Sequence, residues 1–233
     1  MIFCTSAPKS GTHLLAKVIE NLTGRYTVTI KRGMPDSEIR RRSNAFPNIG
    51  GHFRLKDFRG SEALMETLAE RSLFILIRDP RDVCASMVTY LARKGNYEHQ
   101  QAFQCLADLE GEAAIMRVAE GFDSGDSSFR QPSIEQACAG FLEIRQLCPW
   151  STVLRYEEFF TPEAAQKIAA GLGLDQDIVQ GAISSALISD TRTKHTGTPR
   201  VWLTFSDELK DYFREKHSRL IERLGYDVEE PNV

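Results

Sequence analysis

With 233 residues the chain can bury a sizeable core in one domain, because single domains commonly run to about 200–250 residues before a second core forms. Hydrophobic residues at 42% and charged residues at 26% describe an ordinary globular protein and exclude disordered and fibrous classes. The balance of 29 basic against 32 acidic residues gives a formal charge of -3, which lacks the positive field of a nucleic-acid binder, so any anion site must be local.

The five cysteines, Cys4, Cys84, Cys105, Cys138 and Cys148, are scattered, odd in number and without a CxxC pair. Neither zinc nor a disulfide framework is suggested, and reduced, mostly buried thiols are the favoured reading. The N-terminus has no basic region leading into an apolar core, and no run of about 18 apolar residues could span a membrane. A cytoplasmic protein is expected, with no membrane or nucleic-acid partner and with homodimerisation left open.

The first strand is predicted over Met1–Thr5, an apolar run followed by Ser-Ala-Pro, which breaks regular structure. A loop, Ala7 to Thr12, then feeds a helix from Thr12 to about Leu22, with Leu14, Leu15, Val18, Ile19 and Leu22 at helical spacing and Gly24 to end it. Residues 32–48 read as irregular. Their Arg40-Arg41-Arg42 is more readily a solvated face than an anionic-substrate site. Ser72–Ile77 is a near-continuous apolar run, which suits a buried parallel strand, and it stops at Arg78-Asp79-Pro80. A helix over about Asp82–Arg93 and a third strand at Thr152–Tyr156 follow the same logic.

Two helical stretches are predicted between Gly95 and Pro149, about Tyr97–Gly121 and Ser133–Leu147, joined by a polar surface linker at 123–128. Helices near Pro162–Gly171, Asp175–Leu187 and Ser206–Leu224 complete the chain, the last opened by Ser206 with Leu209 and Phe213 on one face. Strands alternating with helices imply an α/β fold with a parallel sheet. No internal repeat is present.

A loop that leaves a parallel strand and starts a helix aims several free N–H groups and the positive end of the helix dipole at one spot. Gly11 lets a phosphate approach the backbone, Ser10 and Thr12 add hydroxyl donors, and Lys9 adds a mobile cation. The competing reading is a plain turn with a helix cap. The Walker A pattern fails, because its first glycine position is Ser6 and its lysine position is Thr12. A second anion pocket is suggested by Arg78, leaving the sheet at the same edge, with Ser86 on the following helix, since a guanidinium matches phosphate oxygens bidentately. Asp79 and Asp82 could instead serve only the dipole of that helix.

Together, Pro8-Lys9-Ser10-Gly11-Thr12 and Arg78-Asp79-Pro80-Arg81-Asp82-Val83 with Ser86 eight residues after Arg78 resemble the PAPS-dependent sulfotransferases. PAPS is 3′-phosphoadenosine 5′-phosphosulfate and PAP is its product. The resemblance implies a P-loop NTPase-like, three-layer fold with a parallel sheet flanked by helices, spanning residues 1–233 as one domain. It implies a 5′-phosphosulfate on Lys9, Ser10, Gly11, Thr12 and the adjoining His13, and a 3′-phosphate on Arg78 and Ser86. Leu154-Arg155-Tyr156-Glu157-Glu158 resembles the family strand whose tyrosine, here Tyr156, lies near the nucleotide. The C-terminal stretch Phe205–Tyr226 resembles the family's closing helix. The family's Arg-Lys-Gly, with tryptophan five residues after the glycine, appears as His195-Thr196-Gly197 before Trp202. Gly197 keeps the spacing, while Lys194, Arg192 or Arg200 would have to supply the missing charge.

Gly50-Gly51-His52-Phe53 resembles the segment that presents the family's general base, which makes His52 the candidate; neutral imidazole accepts a proton at physiological pH. His13 and His217 suit that role less well, and His99 stands in the acceptor-side region. The implied reaction is metal-free transfer of a sulfuryl group to a small-molecule alcohol, phenol, amine or sugar, with Lys9 stabilising the leaving phosphate and residues 32–48 and 95–149 forming the acceptor pocket and lid. A small-molecule kinase using ATP and magnesium, and a nucleotide-binding domain without chemistry, are the rival expectations.

Overall fold

The computed structural model describes residues 1–91, 104–123, 130–189 and 199–229. Its elements begin with β1 (Ile2–Ser6), α1 (Thr12–Thr23), β2 (Thr27–Thr29), α2 (Asp36–Ala45), β3 (Asn48–Gly51), α3 (Leu55–Arg59), α4 (Glu62–Ala69), β4 (Ser72–Ile77) and α5 (Pro80–Leu91). A two-residue pair, β5 (Phe122–Asp123) and β6 (Arg130–Gln131), precedes β7 (Thr152–Arg155). The remaining helices are named by residue. By contacts the chain divides into two compact units, one made from residues 1–78 with 140–197 and one from 79–139 with 198–233.

The first unit holds a five-stranded, all-parallel sheet in the order β2-β3-β1-β4-β7. Parallel strands need crossovers and bury both faces, and the central strands read accordingly: β1 is buried at every residue and β4 at all but its first. Alternation divides their side chains. Ile2, Cys4, Phe74, Leu76 and Leu154 meet Leu15, Val18 and Ile19 of α1. The same cluster takes in Ala164, Ala165 and Ile168 of the helix Pro162–Leu172 and Val179, Ala182 and Ile183 of the helix Gln176–Ile188. On the other face Phe3 packs against Phe53 and Phe58, with ring centroids 5.9 and 5.6 Å away, beside buried Leu64 and Leu68 of α4. Helices on both faces of one sheet make the three-layer α/β architecture.

In the second unit α5 packs with the helix Glu112–Glu120, the helix Ile134–Cys138 and the C-terminal helix Asp207–Arg223. That last helix is capped by Ser206, whose hydroxyl accepts from the Leu209 amide, as expected of a serine there.

Four sequence expectations change. Residues 32–48 are not irregular throughout, because α2 fills their centre. Asn48–Gly51 is a strand although two glycines weaken its propensity, since it is flanked by β1 and β2 on both edges. The helix expected over Tyr97–Gly121 is interrupted: among its described residues 104–106 and Glu112–Glu120 are helical, with a break between them that ends at Gly111, whose φ is 52°. The helix expected over Ser133–Leu147 is split by Gly140, at φ 86°, into Ile134–Cys138 and a 3₁₀ turn at Leu142–Gln146. The expected linker at 123–128 lies outside the described residues except for Asp123.

Candidate anion-binding site

Between β1 and α1 the backbone curls by placing two residues, Lys9 at φ 63° and Gly11 at φ 94°, in the left-handed region on either side of Ser10. The Ser10 amide closes a turn by donating to the Ala7 carbonyl at 3.3 Å, and left-handed residues on either side of it are the kind of backbone from which anion nests are built. Among the described residues no side-chain hydrogen bond caps α1, and its first turn carries no acid to offset the positive end of the helix dipole. The Ser10 hydroxyl is fully buried and has no hydrogen-bond partner among the described residues. Gly11 is required twice over: its φ disfavours a side chain, and a Cβ there would lie 2.5 Å from Cδ2 of Tyr156.

Tyr156 and Arg78 arrive from two other strand ends. Tyr156 opens the turn Tyr156–Phe160 after β7, held in place by Glu158, which accepts from the Arg155 amide at 3.2 Å and pairs with Lys167 at 2.5 Å. Arg78 follows β4, lies with its guanidinium carbon 4.3 Å from the centroid of the Tyr156 ring, and donates from Nη1 to the Lys9 carbonyl at 3.4 Å. Both side chains are almost buried. The C-terminal ends of β1, β4 and β7 thus gather Lys9, Ser10, Gly11, Arg78 and Tyr156 at the sheet edge where open α/β folds bind ligands.

His52 follows β3 at the same edge. A Cβ on Gly51 would come within 2.2 Å of the Phe53 ring and 2.8 Å of the Ile30 carbonyl, so only glycine lets the chain make this turn. The buried Thr5 hydroxyl donates to the Phe53 carbonyl at 2.8 Å and accepts from the Phe53 amide at 3.0 Å, tying the residue after His52 to β1. Nδ1 of His52 lies 2.9 Å from the Ser6 carbonyl oxygen, which can only accept, so Nδ1 carries the proton and Nε2 keeps its lone pair. Burial pushes the His52 pKa below that of ordinary imidazole; the hydrogen bond to the Ser6 carbonyl opposes it, and His13, Arg32 and Lys9 add smaller downward pushes. His13, exposed on the first turn of α1, is lowered by partial burial and by Lys9.

Shape comparison identifies the architecture. A mouse sulfotransferase crystallised with PAP superposes with a TM-score of 0.66 at 21% identity, over 94% of this chain and 83% of that one. A retinol dehydratase in complex with androsterone and PAP gives a TM-score of 0.60 at 13% identity, over 100% of this chain and 83% of that one. The retinol dehydratase complex with retinol and PAP gives 0.57 at 14% identity, covering 99% and 83%. The chain has the sulfotransferase fold. By sequence, no family model and no curated protein matches it.

Within this sulfotransferase fold the rest of the second motif is structural. Arg81 grips Asp79 bidentately, with Nε 2.9 Å from Oδ1 and Nη2 2.7 Å from Oδ2. The same guanidinium donates to the Asp227 and Val228 carbonyls and lies 3.3 Å from the centroid of the Trp202 ring. Asp82 does more than face the helix dipole: its carboxylate accepts from the amides of Arg200 and Trp202 at 2.8 and 2.9 Å. A sequence search could not find this clamp, because its acceptors are main-chain groups far along the chain. Ser86 is half-buried on α5. Lys194 and Gly197, together with Arg192, His195 and His99, lie outside the described residues. His217 is buried against Glu135 and Tyr212, a packing role. Among the described residues no group of three His, Cys, Asp or Glu is placed to hold a metal, and no helix is long and apolar enough to cross a membrane.

Proposed function

We propose that this protein is a PAPS-dependent sulfotransferase that moves a sulfuryl group to a hydroxyl or amine of a small-molecule acceptor. The observation that carries this reading is the gathering of the left-handed loop at Lys9 and Gly11, a buried serine hydroxyl without a hydrogen-bond partner among the described residues, Arg78 and Tyr156 at one sheet edge, with His52 turning Nδ1 to the Ser6 carbonyl beside them. Lys9, the Ser10 and Thr12 hydroxyls, Gly11 and the start of α1 with His13 would hold the 5′-phosphosulfate, and Arg78 with Ser86 the 3′-phosphate; Lys194 and Gly197 are assigned to the same nucleotide. When bound, PAPS supplies a sulfuryl group whose bond to the 5′-phosphate oxygen breaks as the acceptor atom bonds to sulfur.

Nε2 of His52 takes the acceptor proton, and the Ser6 carbonyl, hydrogen-bonded to Nδ1–H, steadies the imidazolium that forms. Lys9 and the α1 amides offset the charge that builds on the departing phosphate oxygen. These fixed donors suit a sulfuryl group, which carries less charge than a transferring phosphoryl, so we assign no metal to the step. Residues 32–48 and 95–149 are assigned to the acceptor side of a single functional domain acting in the cytoplasm.

Calorimetric titration with PAP and, separately, with ATP plus magnesium tests the reading. PAP should bind at least about tenfold, or 1.4 kcal/mol, more tightly. Tighter binding of ATP and magnesium would replace it with a kinase.

A further inference from the structure

The anion loop and the base are joined by a direct hydroxyl contact, and the side chain at its centre has no role in the reaction described above. Oγ of Ser6, the last residue of β1, lies 2.6 Å from Oγ1 of Thr12 and 3.3 Å from Nδ1 of His52. The side chain is 1% exposed, so water does not compete for these contacts. Thr12 begins α1 and belongs to the proposed phosphosulfate grip, while His52 follows β3.

The directions of the hydrogens follow from chemistry. Nδ1–H already points at the Ser6 oxygens, because its nearer partner is the carbonyl at 2.9 Å. The Ser6 hydroxyl therefore meets His52 with a lone pair and directs its own hydrogen to Thr12. Thr12 then has its hydrogen left to donate to an oxygen of an anion in the loop. All donors in this run point the same way, from imidazole to anion, and such chains polarise one another.

We propose that Ser6 is a positioning residue that couples occupancy of the anion loop to the proton-accepting power of His52, through the run Thr12 Oγ1, Ser6 Oγ, His52 Nδ1. An anion that accepts from Thr12 pushes electron density along the run onto Ser6 Oγ, which then holds the Nδ1–H of an imidazolium more strongly. The base becomes stronger when the donor is in place. The charged and titratable groups facing His52 are Lys9 of the loop, His13 of α1 when protonated, and Arg32 beyond β2, the last paired with Asp57 of α3; all three act on it directly whether or not Ser6 is present. The coupling rests on the sulfotransferase reading for the identity of the anion.

The test is nitrogen NMR of the ring-labelled full chain, titrated with pH in the absence and presence of saturating PAP, with the His52 resonances assigned by their loss in His52→Ala. In the wild type PAP should raise the His52 pKa, since both the bound anion and the run favour the imidazolium. In Ser6→Ala the carbonyl and hence the Nδ1–H tautomer persist, and the PAP-induced rise should drop below about half the wild-type value. Thr12→Ser should keep the rise and Thr12→Val should cut it below about half, as Ser6→Ala does, a comparison that also serves should Ser6→Ala fail to fold. An equal rise in wild type and Ser6→Ala, or in Thr12→Ser and Thr12→Val, overturns the coupling while leaving the sulfotransferase reading intact. Failure of the wild type to bind PAP overturns that reading and the coupling with it.

Discussion

With Nδ1 of His52 committed to the Ser6 carbonyl at 2.9 Å, Nε2 is the nitrogen left to meet an acceptor, and burial keeps it neutral into mildly acidic solution. A base must be unprotonated to act, so kcat/KM for PAPS, which reports the free enzyme, should rise with pH through a point below the ordinary imidazole value of about 6.5 and be level above it. A pH profile that rises only above that value would contradict the assignment. His52→Ala should lower kcat by about 10²–10⁴-fold while PAP affinity, read by calorimetry, stays nearly unchanged. Gly11 is the loop residue with no substitute. Gly11→Ala places a side chain at φ 94° and against Tyr156, and should cost about 1–3 kcal/mol in urea unfolding as well as PAP affinity.

At the scale of elements, β1, β4 and β7 were legible because each is an apolar run ended by a turn signal, and the amphipathic α1 because its apolar residues recur at helical spacing. β2 has three residues, two of them threonine, and β3 is half glycine; neighbouring strands, not their own propensity, make them strands. α2 was missed for a similar reason: only Ile39 and Ser43 of its ten residues are buried, so it shows little apolar period. Its three arginines pair with acids: Arg40 with Glu62 and Glu66 of α4, and Arg41 and Arg42 with Glu38. Arg40→Ala should therefore leave PAP binding unchanged in calorimetry, which separates this solvated face from the anion site. The Arg81 clamp is different in kind, because its ion pair with Asp79 has side chains only 3% exposed. Arg81→Ala removes the bidentate guanidinium partner of a buried carboxylate and should destabilise the protein by about 3–5 kcal/mol in denaturant unfolding.

For the whole molecule, a ligand held only by the folded chain adds stability by mass action. PAP at about a hundred times its Kd should raise the unfolding free energy by about 2.7 kcal/mol, and Lys9→Ala should lose most of that gain at the same concentration. The sequence by itself determined the strand-loop-helix start, the alternation of strands and helices, and the residue types able to hold an anion, because each of these depends on neighbours a few positions apart. Only the tertiary structure decided that Arg78, 69 residues from Lys9, lies over Tyr156 and reaches the loop, and that His52, 46 residues from Ser6, turns Nδ1 to its carbonyl. It also decided that Asp79, Arg81 and Asp82 form a buried clamp within their own unit. Those outcomes depend on parallel pairing and on main-chain acceptors distant in sequence, which no local spacing records.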